Sequence, residues 1–296
     1  MATTVTPVAK PPTTGSPAVV ITGSSSGIGA ACALDLDRRG FRVFAGVRSE
    51  ADADRLRQQG SKRLWPVHLD VTDPEAVRSA VEQVTASVQE AGLAGLVNNA
   101  GIVVGGPLEL ITRDQYRRQL DVNVIGPLAV TQAFLPLLSR ARGRIVNIGS
   151  ISGRVVPPYL GAYATSKFAL EALTDGLRLE LRKWGISVSI VEPDSVVTPI
   201  WDKLEAAREE QHASASPEAR RLYGQDLLQM REAMRRMTKN AMPVDRVVRA
   251  VRHALCAKRP KTRYPVGFRT HLAFWAARHL PDRLRDWFLL RELRMP

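Results

Sequence analysis

Short apolar runs punctuate this chain at residues 18–21, 41–47, 64–69, 93–97, 144–148 and 186–191, with a further candidate at 263–266. Each is a few residues long and rich in Val, Ile, Leu or Phe, as strands buried on both faces are. Helical periodicity fills the intervals: residues 27–39, a segment opened by Asp73 and Pro74, then 112–139, 159–184 and 242–258. Asp73 suits an N-cap, and Pro74 suits the first helical position, where a missing N–H is no loss. Strands alternating with helices predict a parallel sheet covered on both faces. Right-handed crossovers make it a doubly wound α/β sheet. Such sheets bind ligands beyond the carboxyl ends of their strands. Chemistry is therefore expected just after Ile21, Val47, Leu69, Val97, Ile148 and Val191.

Two stretches break the rhythm. Residues 199–241 form a charged, helical insert where a loop after the sixth strand would cover a ligand. It carries Trp201, Leu204, Leu222, Tyr223, Leu227, Leu228, Met230, Met234 and Met237. Methionines suit an adaptable apolar wall, and the same residues also suit the packed face of a helix pair. Residues 268–296 combine Leu272, Phe274, Trp275, Leu280, Leu284, Trp287, Phe288 and Leu289 with Arg278, Arg283, Arg285 and Arg291. That predicts a basic amphipathic helix, fitted either to a membrane interface or to the protein's own surface. Residues 1–17, rich in Thr and Pro and without an apolar segment, read as a disordered tail and not as a signal peptide. Residues 18–267 then form a single domain.

Composition narrows the picture. Hydrophobic residues make up 45%, ordinary for a globular protein, and no apolar run is uninterrupted for the ~18 residues of a membrane span. The two cysteines, Cys32 and Cys256, exclude a disulfide framework and a four-cysteine zinc site, and fit a reducing cytoplasm. The five histidines show no metal-ligand spacing. The net charge of +13 is concentrated late: from Arg246 onward there are thirteen Lys/Arg against three acids. Such a tail attracts phosphate or anionic lipid, but no nucleic-acid reader module accompanies it, so nucleic acid is not expected.

The first strand is followed by Thr22-Gly23-Ser24-Ser25-Ser26-Gly27-Ile28-Gly29. Gly23 permits a turn closed to other residues, Gly27 a close backbone approach, and Gly29 tight helix packing. The helix N-terminus behind it offers N–H groups to a pyrophosphate. The spacing is G-x-x-x-G-x-G, and no Gly-Lys-Ser/Thr follows, so this is not a P-loop. The second strand ends Gly46-Val47-Arg48. It offers no carboxylate to a ribose 2′-hydroxyl, whereas the Arg48 guanidinium suits a 2′-phosphate. That favours NADP(H), with NAD(H) as the alternative.

Tyr163 and Lys167, four apart in a helical stretch, share a face. Tyrosine ionises near pH ~10, and a neighbouring ammonium is expected to lower that. Tyr163 could then protonate a carbonyl oxygen or deprotonate an alcohol. Ser150, at the end of the fifth strand, could hold the substrate oxygen beside it.

Taken together, the glycine turn, Asp70, Asn98-Asn99-Ala100-Gly101, Asn123, Ser150, Tyr163-x-x-x-Lys167 and the segment from Pro193 through Thr198 resemble the short-chain dehydrogenase/reductase family. The resemblance is close over residues 18–200 and looser to about 267. It implies a Rossmann-type fold. It also implies that Ser25, Ser26, Ile28, Val71, Gly101 and Pro193 line the dinucleotide, that Asp70 bonds the adenine amino group, and that Asn98 and Ala100 line the adenosine side. Val196 and Thr198 would contact the carboxamide and diphosphate. Asn123 would kink its helix and hold a water linking Lys167 to solvent. Ser150 would position substrate, Tyr163 would be the acid/base, and Lys167 would bind the nicotinamide ribose. The Arg48 pattern and the residues from Phe168 onward resemble the branch acting on steroids, retinoids and other lipophilic alcohols or ketones. Family members commonly pair through the helices at 112–139 and 159–184, so a homo-oligomer is expected.

One position departs from the family pattern. Pro193 is followed by Asp194 and not by glycine. Its carboxylate would weaken cofactor binding if near the phosphates, and favour the cationic oxidised form if near the ring. The reading that follows is an NADP(H)-dependent oxidoreductase for a lipophilic carbonyl or secondary alcohol, cytoplasmic or lipid-associated. An NAD-dependent alcohol dehydrogenase and a catalytically silent dinucleotide sensor are the alternatives.

Overall fold

The computed structural model describes residues 15–201, 204–205, 216–239 and 241–293. Most of the expected N-terminal tail, much of the insert between 202 and 215, and the Met237 side chain lie outside the described residues. Within them the order is β1 (Ala18–Ile21), α1 (Gly27–Arg38), β2 (Arg42–Val47), α2 (Glu50–Gln59), β3 (Leu64–His68), α3 (Pro74–Val88) and β4 (Gly95–Asn98). Then come α4 (Arg113–Leu120), α5 (Gly126–Ala141), β5 (Arg144–Ile148), α6 (Gly161–Glu180), β6 (Ser187–Pro193) and α7 (Pro217–Lys239). The chain closes with α8 (Asp245–Cys256), β7 (Arg263–Val266), α9 (Phe268–His279) and α10 (Asp282–Leu293).

The strands form one parallel sheet in the order β3-β2-β1-β4-β5-β6-β7, the doubly wound, Rossmann-type architecture. The two-residue alternation of β1 shows why its four residues are all apolar. Val19 and Ile21 pack toward α1 and α8, while Ala18 and Val20 pack toward α3 and α5. The order reverses at β1, between β2 and β4, and the crevice at that switch point is where such sheets place ligands.

Local chemistry sets the helix boundaries. Asp73 accepts from the Glu75 N–H and Pro74 follows it, as the sequence predicts. Thr112 and Gln115 form a reciprocal capping box at the start of α4. The expected single helix over 112–139 is instead α4 and α5 joined by a π-helical turn at Asp121–Ile125. Residues 113–141 are long and apolar enough to cross a membrane by length and composition alone. In the fold Val130, Phe134, Leu137 and Leu138 of α5 are buried in the core against the sheet.

The C-terminal expectation needs correction. Two helices, not one, occupy this region, and the break falls at Leu280-Pro281 because proline cannot continue the α9 ladder. In α10 the apolar residues Leu284, Trp287, Leu289 and Leu290 are distributed around the axis at 100° per residue, so no single apolar stripe exists. Neither helix is detached: Thr270 and Leu293 are buried, α9 packs on the 3₁₀ turn at Ile151–Gly153, and α10 packs on α7.

Candidate active site

The turn after β1 needs glycine at three positions. Gly23 and Gly27 take φ of +65° and +58°. A Cβ on Gly23 would lie 2.8 Å from Ala100 Cα, one on Gly27 3.1 Å from Thr198 Cγ2, and one on Gly29 2.3 Å from the Gly23 carbonyl oxygen. The turn is pinned from β4. The Thr22 hydroxyl accepts the Asn99 and Ala100 N–H groups, both at 3.0 Å, and the Asn99 amide donates to the Thr22 and Gly23 carbonyls at 3.0 and 2.9 Å. The result is a cradle at the N-terminus of α1, a tight turn open to close backbone approach at its glycines, which fits the diphosphate of a dinucleotide.

A cleft of about 430 Å³ runs from this cradle along the strand ends. Gly23, Ser25, Ser26, Gly27, Ile28, Arg48, Asp70, Val71, Ala100, Gly101, Ser150, Tyr163, Lys167, Pro193, Val196 and Thr198 line it. Gly29, Asn98 and Asn123 do not. Gly29 acts by packing. Asn98 corrects the sequence expectation: as the last residue of β4 its side chain turns into the sheet, donating to Thr131 Oγ1 at 3.0 Å and Asn147 Oδ1 at 2.9 Å. Its neighbour Asn99, just beyond the strand, faces the cradle instead, where its amide bonds the Thr22 and Gly23 carbonyls.

Asn123 sits in the π turn and ties three segments together. It accepts the Ile102 N–H at 2.9 Å and donates to the Ile102 carbonyl and Ser166 Oγ, both at 3.0 Å. Gln119, one turn earlier and not singled out in the sequence, reinforces it by accepting the Val104 N–H at 2.6 Å and donating to the Ile102 carbonyl at 2.9 Å.

Beyond the ends of β2 and β3, Asp70 accepts the Thr72 N–H at 2.9 Å and its hydroxyl at 2.7 Å. Burial alone would raise the Asp70 carboxyl, but these bonds and the Arg48 and His68 charges outweigh it and hold the group below its ordinary value. The exposed Arg48 guanidinium lies 3.9 Å from Asp70, loosely held at the cleft rim.

Ser150, Tyr163 and Lys167 converge at the ends of β5 and β6. All three are buried, and the Tyr163 and Ser150 hydroxyls are hydrogen-bonded. Lys167 Nζ donates to the Ile148 carbonyl at 2.8 Å and lies 5.7 Å from the centroid of the Tyr163 ring. The expected lowering of Tyr163 by Lys167 is not found. Burial raises Tyr163, the Ser150 hydrogen bond offsets this only in part, and Lys167 is itself pushed down by burial to about 8.

The Lys167 shift has a checkable sign. An unfolded lysine titrates near ~10.5, so the folded chain binds fewer protons between about 8 and that value. Conformational stability should therefore rise with pH across this window. Denaturant titrations at pH 7.5 and 9.5 should show the rise in the unaltered protein and a smaller one in Lys167→Met. Equal slopes would contradict the assignment.

Behind the Ser150 turn lies a charge cluster that no sequence pattern announces. Glu171, one turn after Lys167, pairs with Arg154 at 3.1 Å and with Arg263. Arg263 also reaches Asp175 at 2.7 Å and the fully buried Glu192 at 3.2 Å. Burial pushes Glu192 up to about 7. On the opposite wall, Leu160, Leu204 and Met230 are buried together with Val103, Tyr159, Trp201 and Met234 packed against them. Tyr159 donates to Asp226 of α7 at 2.7 Å, and Tyr223 of α7 donates to Glu109, bonds that tie α7 to the body of the fold at two points. Leu222 and Leu228, expected in that wall, are exposed instead.

A glycine cradle at the first crossover, continuous with a buried Ser-Tyr-Lys group, is the arrangement of a dinucleotide-dependent oxidoreductase. The short chain dehydrogenase family matches residues 17–209, and the chain belongs to that family, whose members bind nicotinamide dinucleotides. Retinol dehydrogenase 5 of Homo sapiens is 42% identical over 284 residues, covering 94% of this chain and 89% of the relative. 17-beta-hydroxysteroid dehydrogenase type 6 of Bos taurus is 39% identical over 287 residues, covering 94% and 89%. A short chain dehydrogenase from Burkholderia cenocepacia, solved in complex with NADP, superposes with a TM-score of 0.71 at 25% identity, covering 95% of this chain and 98% of that one. The chain is thus an oxidoreductase of the retinol and steroid dehydrogenase branch.

Proposed function

We propose that this protein transfers hydride between NADP(H) and a lipophilic carbonyl or secondary alcohol of retinoid, steroid or fatty type. The observation that carries this reading is the continuity of one cleft from the glycine cradle and Arg48 to Ser150, Tyr163 and Lys167. The bound dinucleotide supplies or accepts the hydride. Ser150 holds the substrate oxygen, and the Tyr163 hydroxyl gives it the proton that completes the alcohol, or removes that proton in the reverse direction. A buried, protonated tyrosine is the form that donation to a carbonyl needs. Lys167 orients the nicotinamide ribose. Ile102, Leu160 and Trp201 line the cleft beside this group, an apolar wall suited to a lipophilic substrate.

Arg48 carries the NADP(H) preference through its reach to a 2′-phosphate. Its ion pair with Asp70 supports NAD(H) as the second reading, because Asp70 already offsets part of that charge. Titration followed by nicotinamide fluorescence tests the choice. NADPH should bind about tenfold more tightly than NADH, and Arg48→Ala should remove about 1.4 kcal/mol of that discrimination. Equal or tighter NADH binding by the unaltered chain would overturn the NADP(H) assignment.

The same reading places the protein in the cytoplasm and at lipid surfaces. Phe268, Leu272, Trp275, Trp287 and Phe288 are exposed near Arg278, Arg283 and Arg291, which supports peripheral contact with an anionic membrane. The exposed Phe168 and Leu179 on α6 support pairing with a second copy of the chain.

A further inference from the structure

The turn that leaves β6 carries Pro193, Asp194, Ser195, Val196 and Thr198 along the cleft wall. A carboxylate in this turn is a liability for a site that takes phosphates, because an uncompensated negative charge repels them through a partly buried medium. The structure shows how the charge is offset. Asp194 Oδ1 accepts the Ser195 N–H at 2.7 Å, and Oδ2 lies 3.7 Å from Nε of Arg269. The Asp194 side chain is 11% exposed and that of Arg269 46%. The Asp194 N–H donates to the Val266 carbonyl at 3.2 Å, which sets the residue beside the first turn of α9. A Cβ built on Gly267 would lie 3.4 Å from that of Asp194. The partial positive charge at this helix end adds to that of Arg269.

Arg269 is itself restrained. It pairs with Glu292 of α10, which fixes the guanidinium between the two carboxylates. The same C-terminal helices touch the site at two more places. Phe274 of α9 lies under the Arg154 guanidinium at 5.8 Å from the ring centroid, just after the Ser150 turn, and α10 packs on α7 of the insert. The C-terminal segment therefore braces the cofactor turn, the Ser150 turn and the substrate cover together.

We propose that Arg269 is a positioning residue for the dinucleotide: it neutralises Asp194 and holds the turn from Pro193 to Thr198 in its binding conformation, so the C-terminal helices are a working part of the cofactor site. This rests on the dinucleotide reading given above. A glycine at 194 would leave Arg269 without this task, so the arginine and the aspartate are a coupled pair.

Dissociation constants for NADPH, read by fluorescence at low ionic strength, test the coupling. Arg269→Gln removes the charge and leaves a shorter polar side chain; it should weaken NADPH by about tenfold. Arg269→Lys should stay near the unaltered protein. Adding Asp194→Gly to Arg269→Gln should restore the affinity, because the carboxylate left unpaired is the source of the loss. A double variant as weak as Arg269→Gln alone would overturn the proposal, since lost packing would then be the cause. So would an Arg269→Gln protein that binds as the unaltered chain does. If the unaltered chain binds neither NADPH nor NADH, the dinucleotide reading and this proposal fall together.

Discussion

Tyr163→Phe should lose turnover by about 10²–10⁴-fold, the range a positioned general acid–base contributes, while still binding the dinucleotide. The substitution removes one hydroxyl from a ring buried in α6 and leaves Ser150, Lys167 and the glycine cradle in place. The proton that must reach the substrate oxygen then has no donor at hydrogen-bond distance except Ser150, a far weaker acid–base. Stopped-flow or steady-state nicotinamide absorbance reads the loss, and dinucleotide fluorescence reads the retained binding. A variant that turns over at the original rate would remove Tyr163 from the chemistry and favour a dinucleotide-sensing role.

Gly29→Ala should damage folding and binding together. The added Cβ would fall 2.3 Å from the Gly23 carbonyl oxygen and 2.5 Å from Asn99 Nδ2. Neither neighbour is a flexible side-chain end that can swing away: one is backbone, and the other is an amide held by two hydrogen bonds at 3.0 and 2.9 Å. Overpacking of this kind costs ~1–3 kcal/mol, and each broken Asn99 bond adds about 1 kcal/mol. The melting temperature should drop by about 5–8 °C for a chain of this size, with the dinucleotide no longer protecting the fold. Gly224→Ala in α7 is the control. Nothing lies within 4 Å of a Cβ there, so replacing a helical glycine should stabilise by ~0.5–1 kcal/mol. Similar melting temperatures for the two variants would contradict the cradle geometry.

Much of the fold is legible in the sequence because a parallel sheet buried on both faces writes its strands as apolar runs. The edges are less legible. Leu93 is as apolar as any strand residue, yet its N–H donates to the Leu137 carbonyl of α5 and the strand begins at Gly95. The π turn at Asp121–Ile125 adds one residue to a helix whose composition remains helical throughout, so periodicity alone does not reveal it. Asn98 and Asn99 show how sharply a site depends on register. One step at the end of β4 separates a side chain held between α5 and β5 from one that pins the glycine turn.

Long-range partners were the least legible. Arg263 joins Glu171 and Glu192 only because β7 lies next to β6. Arg269 reaches Asp194 because α9 starts beside the turn that leaves β6. Neither pairing has a local spacing to read. The expected Tyr163 shift failed for a related reason: proximity of an ammonium is visible in a helical repeat, whereas the burial that opposes it belongs to the tertiary structure. The basic, aromatic composition of the C-terminus is plain in the sequence, whereas the break at Pro281 and the packing of α10 on α7 belong to the tertiary structure.

Transfer of an isotopic label tests the central claim most directly. NADPH carrying deuterium at the transferable position would be incubated with the protein and either retinaldehyde or a 17-ketosteroid, and the products analysed by mass spectrometry. The expected product is an alcohol with deuterium on its carbinol carbon, absent when Tyr163→Phe replaces the unaltered protein. NADPH that binds but retains its label with every lipophilic aldehyde and ketone offered, and no alcohol formed, would contradict it.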